Sequence, residues 1–147
     1  EESFTRQTEG DFLSVVECSV SQEIEDAELI YFKPVLAQEL LEHPFIQETR
    51  AWPLDFPYAT NINYVITLTL PEGYEVLETP KDLLVAYGDK DLTFQYRCAS
   101  AGRMVSVVSK LQMKRLAFEA GEYADLRKFY DLMVQKNQEM LVLKKSK

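Results

Sequence analysis

Between residues 63 and 113 the chain alternates apolar and polar side chains in three separate runs, a pattern that few folds can satisfy. Tyr64, Ile66, Leu68 and Leu70 fall on one side of an extended chain, with Val65, Thr67 and Thr69 on the other. Leu92, Phe94, Tyr96 and Cys98 repeat the pattern, opposed by Thr93, Gln95 and Arg97, and Val105, Val107, Leu111 and Met113 form the third run. Period-two alternation marks a strand with one face buried, so three such strands need a second layer to cover them. Residues 122–140 supply a candidate cover, because the period changes there. Tyr123, Leu126, Phe129, Tyr130, Met133 and Val134 recur at spacings of three and four, as on one face of a helix. Glu122 and Asp125 in its first turn suit the helix dipole. The expected fold is mainly β with α: an antiparallel β-sandwich-like domain closed by one long C-terminal helix.

The remaining segments fit around that frame. Residues 1–10 form a polar leading segment anchored only by Phe4, and 11–21 alternate as a further strand with Phe12, Val16, Cys18 and Val20 on one face. An acidic turn at 23–26 precedes a short strand over 29–32 that Pro34 ends or confines to a sheet edge. Ala37, Leu40 and Leu41 predict a short helix that Pro44 prevents from continuing. Trp52, Phe56 and Tyr58 among Pro53 and Pro57 predict an extended segment packed against one side of the sheet. Pro71, Glu72 and Gly73 predict a hairpin or a sharp strand-to-strand bend into 74–78. Turns at 88–91 and at Gly102 join strands over 83–87, 92–99 and 104–113 into an antiparallel meander. Leu141, Val142 and Leu143 read as a short edge strand after the helix.

Charge and length bound the partners. The 147 residues fit a single domain, 1–147, with a core large enough to fold without metals or many cross-links. A net charge of -8 opposes attraction to nucleic acid or to an anionic membrane surface. Lys144, Lys145 and Lys147 form one local basic cluster, read as a solvated terminus. No apolar run approaches the roughly 20 residues that cross a bilayer as a helix. The start at Glu1, without an initiating Met or a signal-peptide pattern, fits a fragment of a longer protein and a mature secreted protein equally well.

Few residues suggest chemistry. A papain-like nucleophile needs a Cys with its thiolate favoured by an adjacent His. Cys18 and Cys98 instead fall on the apolar faces of their strands, where a thiol behaves as a small hydrophobe. Free buried thiols are the favoured state, with a disulfide between them left open. His43, alone in the sequence and next to Pro44, is read as a solvated or helix-capping residue, since zinc would need three or four ligands. Glu23, Glu25, Asp26 and Glu28 lack the loop pattern of a calcium site and are read as a charged turn. No phosphate loop, nucleophile elbow or dinucleotide fingerprint is present, and no cofactor is expected.

Three phrases carry a resemblance: RAWPLDFPY at 50–58, LPEGYEVLETPK at 70–81 and EYADLRKFYDLMVQKNQEMLVLKK at 122–145. In this order they resemble the C-terminal domain of unknown function of bacterial transglutaminase-like proteins, with residues 1–47 fitting more loosely as the preceding strands. The resemblance implies a β-rich domain closed by a long helix and placed after a papain-like core domain in an exported, periplasmic or extracellular, protein. It supplies no catalytic residue, since the Cys-His-Asp set of such proteins belongs to the core domain.

The expected function is therefore a non-catalytic accessory domain that supports or positions a neighbouring transglutaminase-like domain of the same chain. The alternative is a glycan- or protein-binding β-sandwich module using Trp52, Tyr58, Tyr74 and Tyr87, all near predicted turns. Aromatics in proline-rich connections usually fill the edge of a core, and core packing is the favoured role for these four.

Overall fold

The structure is a computed structural model that describes residues 16, 19 and 27–146. The leading segment, the strand expected over 11–21 and the Cys18 thiol lie outside the described residues, residues 16 and 19 apart. Nine strands appear in the described part: β1 (Leu29–Phe32), β2 (Leu54–Asp55), β3 (Thr60–Thr69), β4 (Tyr74–Glu78), β5 (Leu83–Tyr87), β6 (Leu92–Ala101), β7 (Met104–Met113), β8 (Ala117–Phe118) and β9 (Leu141–Lys145). Two α-helices join them, α1 (Gln38–Leu41) and α2 (Tyr123–Asn137), the second led in by a 3-10 turn over Ala120–Glu122.

The alternating runs form the larger sheet. β3, β7, β6 and β5 lie side by side in that order, every neighbour antiparallel. Leu92, Phe94, Tyr96, Val105, Val107, Leu111 and Met113 are buried on its inner face, with Tyr64, Ile66, Leu68 and Cys98 packed against them. Val65, Thr67 and Thr69 face out, as their place in the alternation dictates. Gly102 makes the β6–β7 turn with φ +56°, a backbone conformation that only glycine adopts without cost. At the β5–β6 turn, Gly88 has φ +61° and lies so close to the Asp91 carboxylate that a Cβ would collide with it.

α2 packs across β5 and β6 and against α1. Tyr123, Leu126, Phe129, Tyr130 and Met133 are buried, and Val134 packs at their margin. The helix stops at Asn137, three residues short of the expected Met140. A second sheet takes the order β1-β9-β4, and a short ladder pairs β2 with β8. Leu141 and Leu143 of β9 join the same core cluster as the inner face of the larger sheet, which makes the arrangement sandwich-like: mainly β, antiparallel, with one long C-terminal helix.

One expectation needs correction. Leu141, Val142 and Leu143 are not an edge strand. β9 is the centre of its sheet, flanked by β1 and β4, and all three side chains are buried. A strand covered on both faces reads as an unbroken apolar run, which explains why alternation is missing. The bend at Pro71, Glu72 and Gly73 makes no hairpin, because β3 pairs with β7 while β4 pairs with β9. It is the sharp strand-to-strand bend, the other form expected there, and carries the chain from one sheet to the other.

Candidate functional site

The loop at 42–53, between α1 and β2, is fixed at its base and exposes two large apolar side chains, Ile46 and Trp52, among polar ones. Phe45 inserts into the core at 7% exposure and makes edge-to-face contacts with Tyr130 (centroids 5.1 Å apart), Tyr123 (5.4 Å), His43 (5.7 Å) and Phe56 (6.4 Å). Its N–H donates to His43 Nδ1 at 3.0 Å. With Nδ1 accepting, the ring proton sits on Nε2, which lies 3.2 Å from the Arg127 carbonyl and 3.3 Å from Asp131 Oδ1 on α2. His43 is therefore neither a solvated side chain nor a cap of α1. It braces the loop against α2. Further along, the Tyr123 hydroxyl donates to the Gln47 carbonyl at 2.8 Å.

With Phe45 turned inward, Ile46 has to face outward, at 93% exposure. Trp52 is 78% exposed and lines the same shallow depression, together with Pro44, Gln47, Arg50 and Tyr123. Exposed Ile and Trp side chains on a pinned loop are a common signature of a contact surface. Ile46 was not singled out in the sequence. The signal available there was the Pro44-Phe45-Ile46 step, since adjacent side chains of an extended segment point to opposite sides and one of the two then faces solvent at the surface.

The four aromatics named in the sequence do not converge. Tyr58 is 70% exposed but lies outside the depression that Trp52 lines. Tyr74 and Tyr87 are half-buried against the core, and their hydroxyls are engaged, Tyr74 donating to the Ala27 carbonyl at 2.7 Å and Tyr87 to Glu122 Oε1 at 2.9 Å. Core packing thus describes Tyr74 and Tyr87 and fails for Trp52 and Tyr58. Phe56, between the two prolines, is the ring of that segment that packs inward, against Phe45 and Phe118.

One polar cluster stands beside the helix start. Arg115 donates from both terminal nitrogens to the two oxygens of Glu122, at 3.0 and 2.5 Å, and its Nε–H donates to the Ala117 carbonyl at 2.7 Å. Its guanidinium stacks on Phe118, 4.6 Å from the ring centroid, and lies 3.4 Å from Asp91 Oδ2. The Arg115 hydrogen bonds, then the Glu119 N–H and the Tyr87 hydroxyl, hold the Glu122 carboxyl down at about 2. Burial and the bond to Glu122 push the Tyr87 hydroxyl up to about 12. These bonds tie β5, β8 and the start of α2 together, and the cluster is read as a structural link.

Cys98 is a half-buried free thiol on the inner face of β6. Burial, and then the Asp82 carboxylate, raise its pKa, the opposite of what a nucleophile needs. Its N–H donates to Asp82 Oδ1, whereas the His43 ring faces Phe45 and Tyr130. Among the described residues no group of three or more His, Cys, Asp or Glu side chains is placed to share a metal ion, and no helix is long and apolar enough to cross a membrane.

These features define a mainly β, sandwich-like domain with a single long helix and a braced surface loop that exposes Ile46 and Trp52. The chain belongs to the family DUF3858, described as a domain of unknown function with a solved structure, which matches residues 28–143. No curated protein matches it in sequence. Among solved structures it is similar to a candidate protease from Parabacteroides distasonis ATCC 8503, with a TM-score of 0.63 at 13% identity over 79% of this chain. The likeness is one of fold. The chain spans 23% of that protein's length.

Proposed function

We propose that this chain is a non-catalytic accessory domain whose loop at 42–53 docks on a neighbouring domain of the same longer protein and holds that domain in place. The carrying observation is the pairing of a rigid base, Phe45 and His43, with the outward Ile46 and Trp52. A braced loop loses little conformational freedom on docking, and exposed Trp and Ile bury much apolar area when covered. The similar structure from Parabacteroides distasonis supports the reading, since the shared part is 23% of that candidate protease, which leaves room for catalytic machinery outside it. On the resemblance of 50–58, 70–81 and 122–145, the neighbour is a transglutaminase-like, papain-like domain in an exported protein.

The test is thermal unfolding of the longer protein with Ile46→Asp and Trp52→Ala. The reading expects one joint transition to separate into two while this domain's own midpoint, measured alone, stays within about 2 °C. Joint unfolding unchanged by both substitutions overturns it.

The exposed Trp52 and Tyr58 also favour a second reading, a glycan- or protein-binding module in which these rings stack on a ligand. Retention on a glycan array, lost with Trp52→Ala and Tyr58→Ala, supports it, and absence of retention removes it.

A further inference from the structure

A second depression lies on the outer face of the four-stranded sheet and shares no residue with the loop at 42–53. Register places its residues in two rows. Asn61 stands beside Gln112, which stands beside Thr93 and then Ala86; Asn63 stands beside Lys110, Gln95 and Leu84. Lys90 joins from the β5–β6 turn. The outward positions of all four strands carry Arg97 and Lys110 and no carboxylate, on a chain with net charge -8. Of the carboxylates at its margin, Asp82 is engaged by the Cys98 N–H and Asp91 by Arg115, and Asp89 sits in the turn; none lines the depression. The side chains of Asn61, Gln112, Lys90 and Lys110 make no hydrogen bond or ion pair with another described residue.

We infer that this face binds an acidic oligosaccharide, with uronate carboxylates on Lys90 and Lys110, ring hydroxyls on the amides of Asn61 and Gln112, and a pyranose C–H face on Leu84; the Gln95 amide oxygen accepts from the Arg97 guanidinium at 2.9 and 3.0 Å and is left out of the ligand set. An amide side chain both donates and accepts, which matches neighbouring sugar hydroxyls. Two ammonium groups near those amides select for negative charge. Leu84, 70% exposed, gives the apolar contact that sugar rings use. An extended peptide is the weaker fit. The backbone groups of β6 and β7 are committed to strands on both sides, so a peptide over this face has no ladder to join. The inference is independent of the accessory reading, because it uses a different surface and needs no neighbouring domain.

The test is titration of the 147-residue chain, followed by amide NMR shifts, with tetragalacturonic acid, galactotetraose and a tetraglutamate peptide as three separate probes. The inference expects tetragalacturonic acid to shift residues 61, 84, 110 and 112, and galactotetraose and tetraglutamate each to bind about tenfold or more weakly. Lys110→Glu is expected to lower affinity for tetragalacturonic acid about tenfold or more, Gln112→Ala by a smaller factor, and Trp52→Ala not at all. All three replaced side chains point to solvent or line an open surface, so the variants should keep the parent melting temperature. No shift at millimolar tetragalacturonic acid overturns the inference. So does equal binding of tetraglutamate, which would make the face a plain cationic patch, and so do shifts confined to 44–52.

Discussion

Ser109 Oγ donates to Asn137 Oδ1 at 2.8 Å, and neither residue is exposed to solvent. Asn137 Nδ2 donates onward to the Leu40 carbonyl at 2.9 Å, so one amide joins β7, the end of α2 and α1. The small Ser109 sits in register between Tyr64 and Tyr96, which leaves space for the amide to reach the sheet. Removing one partner strands the others in a dry interior. Asn137→Ala is expected to cost about 2–3 kcal/mol and Ser109→Ala about 1–2 kcal/mol in urea unfolding. Losses below about 0.5 kcal/mol for both would show that the relay is not closed.

Phe129 and Tyr130 are 3% and 6% exposed on the face of α2 that meets the sheet and the aromatic cluster. Phe129→Ala and Tyr130→Ala should each cost about 3–5 kcal/mol, the usual loss for a truncated buried ring. Denaturant midpoints give the values. Costs under about 1 kcal/mol at both positions would mean that the helix does not dock as described.

Glu122 and Tyr87 set opposite limbs of the pH profile. The Glu122 carboxyl falls from 4.5 to about 2 in the folded chain, so the unfolded state takes up the proton first. Its contribution is complete above about 4.5 and is lost as pH falls from 4.5 toward 2. Tyr87 rises from 10.0 to about 12, so its contribution is complete below 10 and is lost as pH climbs from 10 toward 12. Melting temperatures across these two windows test the signs: Glu122→Gln should flatten the acid limb and Tyr87→Phe the alkaline one.

Cys98 is expected to react slowly. Burial raises its pKa, which keeps the thiol protonated at neutral pH. Alkylation by iodoacetamide at pH 7.5 should be at least about tenfold slower than in urea, read by mass spectrometry. Equal rates would place the thiol in solvent.

Much of the fold is legible in the sequence, because each half-buried strand repeats at period two and α2 at three and four. β9 was legible as a strand but not as the centre of its sheet, since three consecutive apolar residues do not tell how many strands flank them. The polar links were hidden for a different reason. Ser109 and Asn137, or Tyr87 and Glu122, are brought together by topology, and nothing local in either segment marks its partner. Exposure of Trp52 was hidden too, because Phe56 is the ring of RAWPLDFPY that packs inward, against Phe45 and Phe118, and the segment alone does not say which of its rings does so.

Amide hydrogen exchange across 44–53 tests the docking account most directly, compared between this chain alone and a chain that carries the neighbouring domain. Docking through Ile46 and Trp52 predicts exchange slowed about tenfold or more in the longer chain at these amides, with residues 84–112 on the outer sheet face unchanged. Identical exchange over 44–53 in the two proteins would contradict it.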